Sequence, residues 1–143
     1  MNHNDIQRHF EACPDLAGVD PVSAENLFWR AENQTLKEGD VLFRQGAKLD
    51  NAFGLLLSGR LAVERAGEPI GTVIPQQIFG EMAYFSYFRT RNATIRVSST
   101  QASILKFSLS PIELGSRGFS ALRKCLASLT VSRATGPSPI LIT

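Results

Sequence analysis

The spacing of apolar positions changes character along the chain. Residues Asp5 to Cys13 are spaced as a short amphipathic helix ended by Pro14. Asp20-Pro21 then reads as an N-cap followed by proline at the first helical position, which predicts a helix over Val22 to Ala31. From Thr35 to Ser108 the pattern turns to short β-rich runs, "VLF", "AFGLLL", "RLAVER", "PIGTVI", "ATIRV" and "SILKFS", separated by Gly, Pro, Asn or Asp. Many short strands at close intervals predict a β-barrel or jelly roll. Within it, "ERAGEPIG" is a hairpin turn in which Gly67 supplies the tight bend. Ser110-Pro-Ile-Glu113 is a capping box with proline at its first helical position, so a short helix begins there and stops near Gly115 to Gly118. A longer helix runs from Phe119 to Val131, with Phe119, Leu122, Cys125, Leu126 and Leu129 on one stripe and Arg123 and Lys124 facing elsewhere. The fold class is therefore mainly β (α+β), a barrel or jelly roll flanked by N-terminal and C-terminal helices.

At 143 residues the chain has room for one core, and we divide it into an N-terminal segment (1–20), a single domain (21–134) and a loose tail (135–143). Hydrophobic residues at 43% and charged residues at 20% are ordinary globular usage, which argues against disorder. A formal net charge of +2 without a basic run does not announce a nucleic-acid or membrane surface. No apolar run approaches the roughly 18 residues of a membrane span, and "MNHNDIQRHF" lacks a signal-peptide pattern. Cys13 and Cys125 form no CxxC, so free thiols and a cytoplasmic location are expected. His3 and His9 both precede the β-rich body, leaving it no imidazole for a cupin-type metal site or a Ser-His-Asp triad. No enzyme activity and no metal are expected.

The chemistry concentrates in "FGEMAYFSYFRTRNAT", Phe79 to Thr94. Gly80 lets a ligand approach the main chain, and the N–H groups after it are free to meet a phosphate if "EMAYF" starts a helical turn. Arg91 offers a planar guanidinium able to grip two phosphate oxygens. A second anion beside a phosphate would be repelled, so Glu81 suits a donor such as a ribose 2′-OH.

These residues resemble the phosphate-binding cassette of the cyclic nucleotide-binding domain family, whose members include the ligand-binding domain of the bacterial catabolite activator protein. The family pattern is F-G-E-[LM]-A, a short loop, then R-[AST]-A-[TS]. Here "FGEMA" and "RNAT" match it, with nine residues between Glu81 and Arg91. "LKEGDVLFRQG", "DNAFGLLLSGRLAVER" and "GEPIGTVIPQQIFGEM" extend the resemblance over Leu27 to Val131, with Gly39, Gly46, Gly59 and Gly71 at the family's turns. The resemblance implies that Phe79, Gly80, Glu81, Met82, Arg91, Asn92 and Ala93 form the ligand site for cyclic AMP or cyclic GMP. Main-chain N–H groups around Gly80 would meet the phosphate, Glu81 the 2′-OH and Arg91 the exocyclic oxygens. Asn92 stands where the family has Ala, Ser or Thr. Base contacts would come from the last helix, near Ser132 and Arg133.

The implied function is a regulatory module that signals by movement of its C-terminal helix to a partner or an attached effector. The sequence ends shortly after that helix, so no DNA-binding domain and no direct nucleic-acid contact are expected, and the start at Met1 favours a separate protein. The loop carries Tyr84, Phe85, Tyr87 and Phe88. Tyr84 and Phe85 are expected in the core, and Tyr87 and Phe88 on a partly exposed patch. That patch, or the C-terminal helix, could contact a protein partner or a second copy. An alternative keeps the fold but drops the ligand, making a degenerate module used for protein interaction or dimerisation.

Overall fold

A computed structural model describes residues 3–86 and 88–135. Helix α1 (His3–Ala12) and a 3-10 turn (Pro14–Leu16) lead into α2 (Pro21–Phe28), whose start is capped by Asp20 accepting from the Ser23 N–H at 3.3 Å. The strands follow: β1 (Ala31–Lys37), β2 (Val41–Phe43), β3 (Ala52–Ser58), β4 (Leu61–Arg65), β5 (Glu68–Val73), β6 (Ile78–Phe79), β7 (Thr94–Val97) and β8 (Gln101–Ser108). Helix α3 (Pro111–Leu114), a 3-10 turn (Arg117–Phe119) and α4 (Ser120–Thr135) close the described chain. The strands form two antiparallel four-stranded sheets, ordered β1-β8-β3-β6 and β2-β7-β4-β5, in a jelly-roll-like arrangement.

The unbroken apolar run of β3 has a physical reason, since its sheet is covered on both faces. Ala52 and Leu56 enter the core between the sheets, together with Ala102 and Ile104 of β8. Phe53, Leu55 and Leu57 point the opposite way, as alternation along a strand requires, and join Leu105 and Phe107 under the helices. Phe119, Leu122 and Leu126 lie in this helical core with Leu129 packed against it, while Arg123 and Lys124 are exposed. The expected stripe of α4 thus packs on the β1-β8-β3-β6 sheet side.

Several boundaries differ from the sequence reading. Helix α2 stops at Phe28 instead of Ala31, and the first strand opens at Ala31 instead of Thr35. Residues 31–37 are mostly polar and at a sheet edge, so their strand is fixed by continuous pairing with β8, from Ala31↔Phe107 to Lys37↔Gln101. Helix α4 continues beyond Val131 to Thr135. Gly71 is not at a turn: it lies inside β5 opposite Val63, beside a register shift. The turn itself is Ala66-Gly67, with φ of 52° and 81° between the paired residues Arg65 and Glu68, a two-residue hairpin. The capping box forms as read, Ser110 Oγ accepting from the Glu113 N–H and Glu113 Oε1 from the Ser110 N–H, both at 3.1 Å. The expected tail from residue 136 onward lies outside the described residues, as does Tyr87.

Candidate functional site

Strand β6 pairs with β3 for only two residues, Ile78 opposite Leu55 and Phe79 opposite Gly54, before the chain must turn away. Gly80 makes that turn with a φ of +86°, a conformation that side chains resist. A Cβ there would lie 2.6 Å from the Phe43 ring and 3.2 Å from Arg91 Nη1, so the glycine also answers a close approach. A single 3-10 turn (Met82–Tyr84) follows, closed by the Tyr84 N–H donating to the Glu81 carbonyl at 3.1 Å. The return leg is pinned to residues 46–49: Leu49 N–H donates to Arg89, Arg91 N–H to Ala47 and Gly46 N–H to Arg91, at 2.7–2.8 Å. Arg91 is thereby brought back beside Gly80.

The guanidinium of Arg91 is enclosed, the residue being only 2% exposed. Its Nη1 donates to the Gly80 carbonyl at 2.6 Å, and its Nη2 donates to the Ala52 carbonyl at 2.6 Å and to Asp50 Oδ1 at 2.7 Å. The Phe43 ring covers one face, with its centroid 3.7 Å from Cζ. A buried cation without partners would be prohibitive, and these acceptors and the ring offset its desolvation. Nε remains without a hydrogen-bond partner.

Glu81 is fully buried and takes a different set of partners. Its Oε1 accepts from Arg133 Nη1 at 2.5 Å, across from the far end of α4. Arg133 Nη2 also reaches Asp15 Oδ2 at 3.4 Å, and that oxygen accepts from the Ile78 N–H at 3.0 Å. The N-terminal 3-10 turn, the cassette and α4 therefore meet at one small polar cluster. Glu81 Oε2 is buried with no partner. Burial pushes the carboxyl pKa up from 4.5 to about 7, against the pull of the Arg133 charge.

A family model for the cyclic nucleotide-binding domain matches residues 33–113, more than half of the chain. The chain belongs to the cyclic nucleotide-binding domain family. No curated protein matches it significantly. Among solved structures, the sensor domain of the transcriptional regulator DNR from Pseudomonas aeruginosa is 20% identical, with a TM-score of 0.71 and 90% of each chain covered. A mutant regulatory subunit of a cAMP-independent protein kinase A from Trypanosoma brucei, bound to cAMP, is 15% identical, with a TM-score of 0.75 over 94% of this chain and 48% of that one. The corresponding subunit from Trypanosoma cruzi, bound to guanosine, is 12% identical, with a TM-score of 0.72 over 96% and 48%. This chain spans about half the length of the two kinase subunits, and at such identities the likeness shows the fold.

In this cyclic nucleotide-binding domain the structure brings Gly80 and Arg91 together, whereas Glu81 is engaged by Arg133. Phe79 and Ala93 are fully buried in the inter-sheet core and Met82 is nearly so. Asn92 accepts through its carbonyl from Arg65 Nε at 3.1 Å, and its buried Oδ1 has no partner. Tyr84 is in the core, its hydroxyl donating to the Leu109 carbonyl at 2.6 Å, and Phe85 packs half-buried against the same core. Phe88 is 77% exposed, as expected for the loop's apolar patch. Sequence reasoning assigned no role to Asp50, Phe43 or Asp15, and expected base contact of Arg133, which here holds Glu81. A cavity of about 130 Å³ lies between the sheets beside Phe43, Phe79 and Gly54. A cavity of about 620 Å³ lies instead between α1 and α2, away from the cassette.

Proposed function

We propose that this domain senses a cyclic nucleotide, cyclic AMP or cyclic GMP, and passes the signal through α4 to a partner or effector. The observation that carries the reading is Arg91, a buried cation held 2.6 Å from the carbonyl of Gly80 at a left-handed turn. A phosphate reaching this turn would offer Arg91 anionic acceptors in fork geometry in place of the neutral carbonyls of Gly80 and Ala52. The unpartnered Nε of Arg91 and Oε2 of Glu81 support a ligand that brings an acceptor to one and a donor to the other. A ribose hydroxyl donating to Glu81 would compete with Arg133, loosening the end of α4 from the cassette. The solved relatives bound to cAMP and to guanosine favour a nucleoside-type ligand. The free thiols of Cys13 and Cys125 favour a reducing, cytoplasmic setting.

Titration calorimetry with cyclic AMP, cyclic GMP and guanosine tests this reading. Saturable heat in the parent, lost in Arg91→Lys while the fold persists by circular dichroism, is the expected outcome. A flat titration with all three ligands at millimolar concentration would refute it.

A second reading has its own observation. Both Nη atoms of Arg91 are already satisfied and Glu81 already has a cationic partner, so most of the cassette's charged groups are engaged within the chain. A degenerate module that uses the exposed Phe88 loop or α4 for protein contact would look like this. The same flat titration, with partner or self-association intact in Arg91→Lys, would favour it.

A further inference from the structure

We propose that Phe43 sets the affinity of the cassette for its phosphate: its ring packs over the place a phosphate would take and swings into the neighbouring inter-sheet cavity when the anion arrives. This rests on the cyclic-nucleotide reading above. The glycine of the cassette leaves a space over its main chain, and Phe43 occupies that space. A Cβ on Gly80 would meet Cε2 of Phe43 at 2.6 Å, and the same ring lies over the Arg91 guanidinium at 3.7 Å. One side chain therefore covers both Gly80 and one face of the Arg91 guanidinium, whose in-plane donors are held by Gly80, Ala52 and Asp50.

The ring also has somewhere to go. The cavity of about 130 Å³ is bounded by Phe43 itself, Leu42, Phe53, Gly54 and Phe79. Phe43 is the last residue of β2, a three-residue strand at the edge of its sheet, and the pairing with β7 shifts register between Val41 and Phe43. The next turn contains Gly46 at a φ of +85°. A short, irregular edge strand has little pairing to lose when its terminal residue moves. A closed state held by the ring lowers apparent affinity by the fraction of molecules that are open.

The test is calorimetric and stopped-flow titration of cyclic AMP and cyclic GMP into the parent, Phe43→Leu and Phe43→Met. Both variants keep apolar bulk but lose the cation–π contact. The variants are expected to bind about tenfold or more tightly than the parent, from the loss of a desolvated cation–π contact, with a faster association rate. A merely structural loss of packing would weaken binding and leave association unaccelerated. If the parent binds and both variants bind equally or more weakly, the gate is overturned while the ligand reading survives. If neither parent nor variants bind, the ligand reading falls and the gate falls with it.

Discussion

Glu81 gives the sharpest prediction because its stability contribution has an unusual sign. Its carboxyl is buried and its pKa is raised from 4.5 to about 7, burial being the larger effect and the Arg133 charge opposing it. The folded state therefore binds this proton more tightly than the unfolded chain does. Stability from Glu81 is fully present below pH 4.5 and is lost as pH rises through about 7. At about 1.4 kcal/mol per pKa unit the gap is on the order of 3 kcal/mol, a large part of a total that for such domains is about 5–15 kcal/mol. The perturbation is Glu81→Gln, which keeps the shape and an acceptor for Arg133 but does not titrate. Urea unfolding of both proteins from pH 5 to 8.5 should show the parent losing stability relative to the variant, by up to about 3 kcal/mol. Asp20 and Glu113 have lowered pKa values, through the Ser23 hydrogen bond and the Arg30 hydrogen bond respectively, so their stability is lost only as pH falls, outside this window. Parallel curves for parent and variant, or a parent that gains relative stability with pH, would refute the reasoning. In the second case the ion pair to Arg133 would outweigh burial.

Arg133→Met should be mild at pH 5 and cost up to about 1.4 kcal/mol more at pH 8, because without the Arg133 charge the buried Glu81 stays protonated beyond its parent pKa of about 7; urea melts at the two pH values check it. Tyr84→Phe should cost about 1–3 kcal/mol in the same assay by stranding the buried Leu109 carbonyl. Gly54→Ala places a Cβ 2.3–2.8 Å from the Phe79 ring and should cost about 1–3 kcal/mol, with Phe79→Leu restoring part of the loss in the double variant.

The parts of the fold that local chemistry decides could be read directly. The capping box at Ser110 and Glu113, the Asp20-Pro21 helix start and the Ala66-Gly67 hairpin each need only neighbours in sequence. The stripe on α4 was visible for the same reason, since its period is local. Strand β1 was read only in part because "AENQTLK" has little apolar alternation and owes its conformation to a partner 64–76 residues away. Gly71 was misplaced because a glycine serves a bulge as well as a turn, and only the pairing distinguishes them.

The candidate site divides along the same line. Gly80, Glu81 and Arg91 stand out because their spacing is the signal, yet what each touches is set by distant chain. Arg91 meets Asp50 and Ala52 across 41 and 39 residues, and Glu81 meets Arg133 across 52. No spacing rule links Asp15 to Arg133, 118 residues apart, so the cluster joining both helical ends to the cassette had no linear trace. This has a functional consequence. A cassette read from its motif alone is an open set of donors and acceptors waiting for a ligand, whereas the folded cassette already satisfies most of them internally. Beyond the unpartnered Arg91 Nε and Glu81 Oε2, a ligand would therefore gain by exchange, displacing carbonyls from Arg91 and Arg133 from Glu81, and Arg133 is attached to the element proposed to carry the signal. On the proposed function, affinity and signalling would draw on the same contacts, so variants that loosen Arg133 should raise affinity as they weaken the coupling to α4.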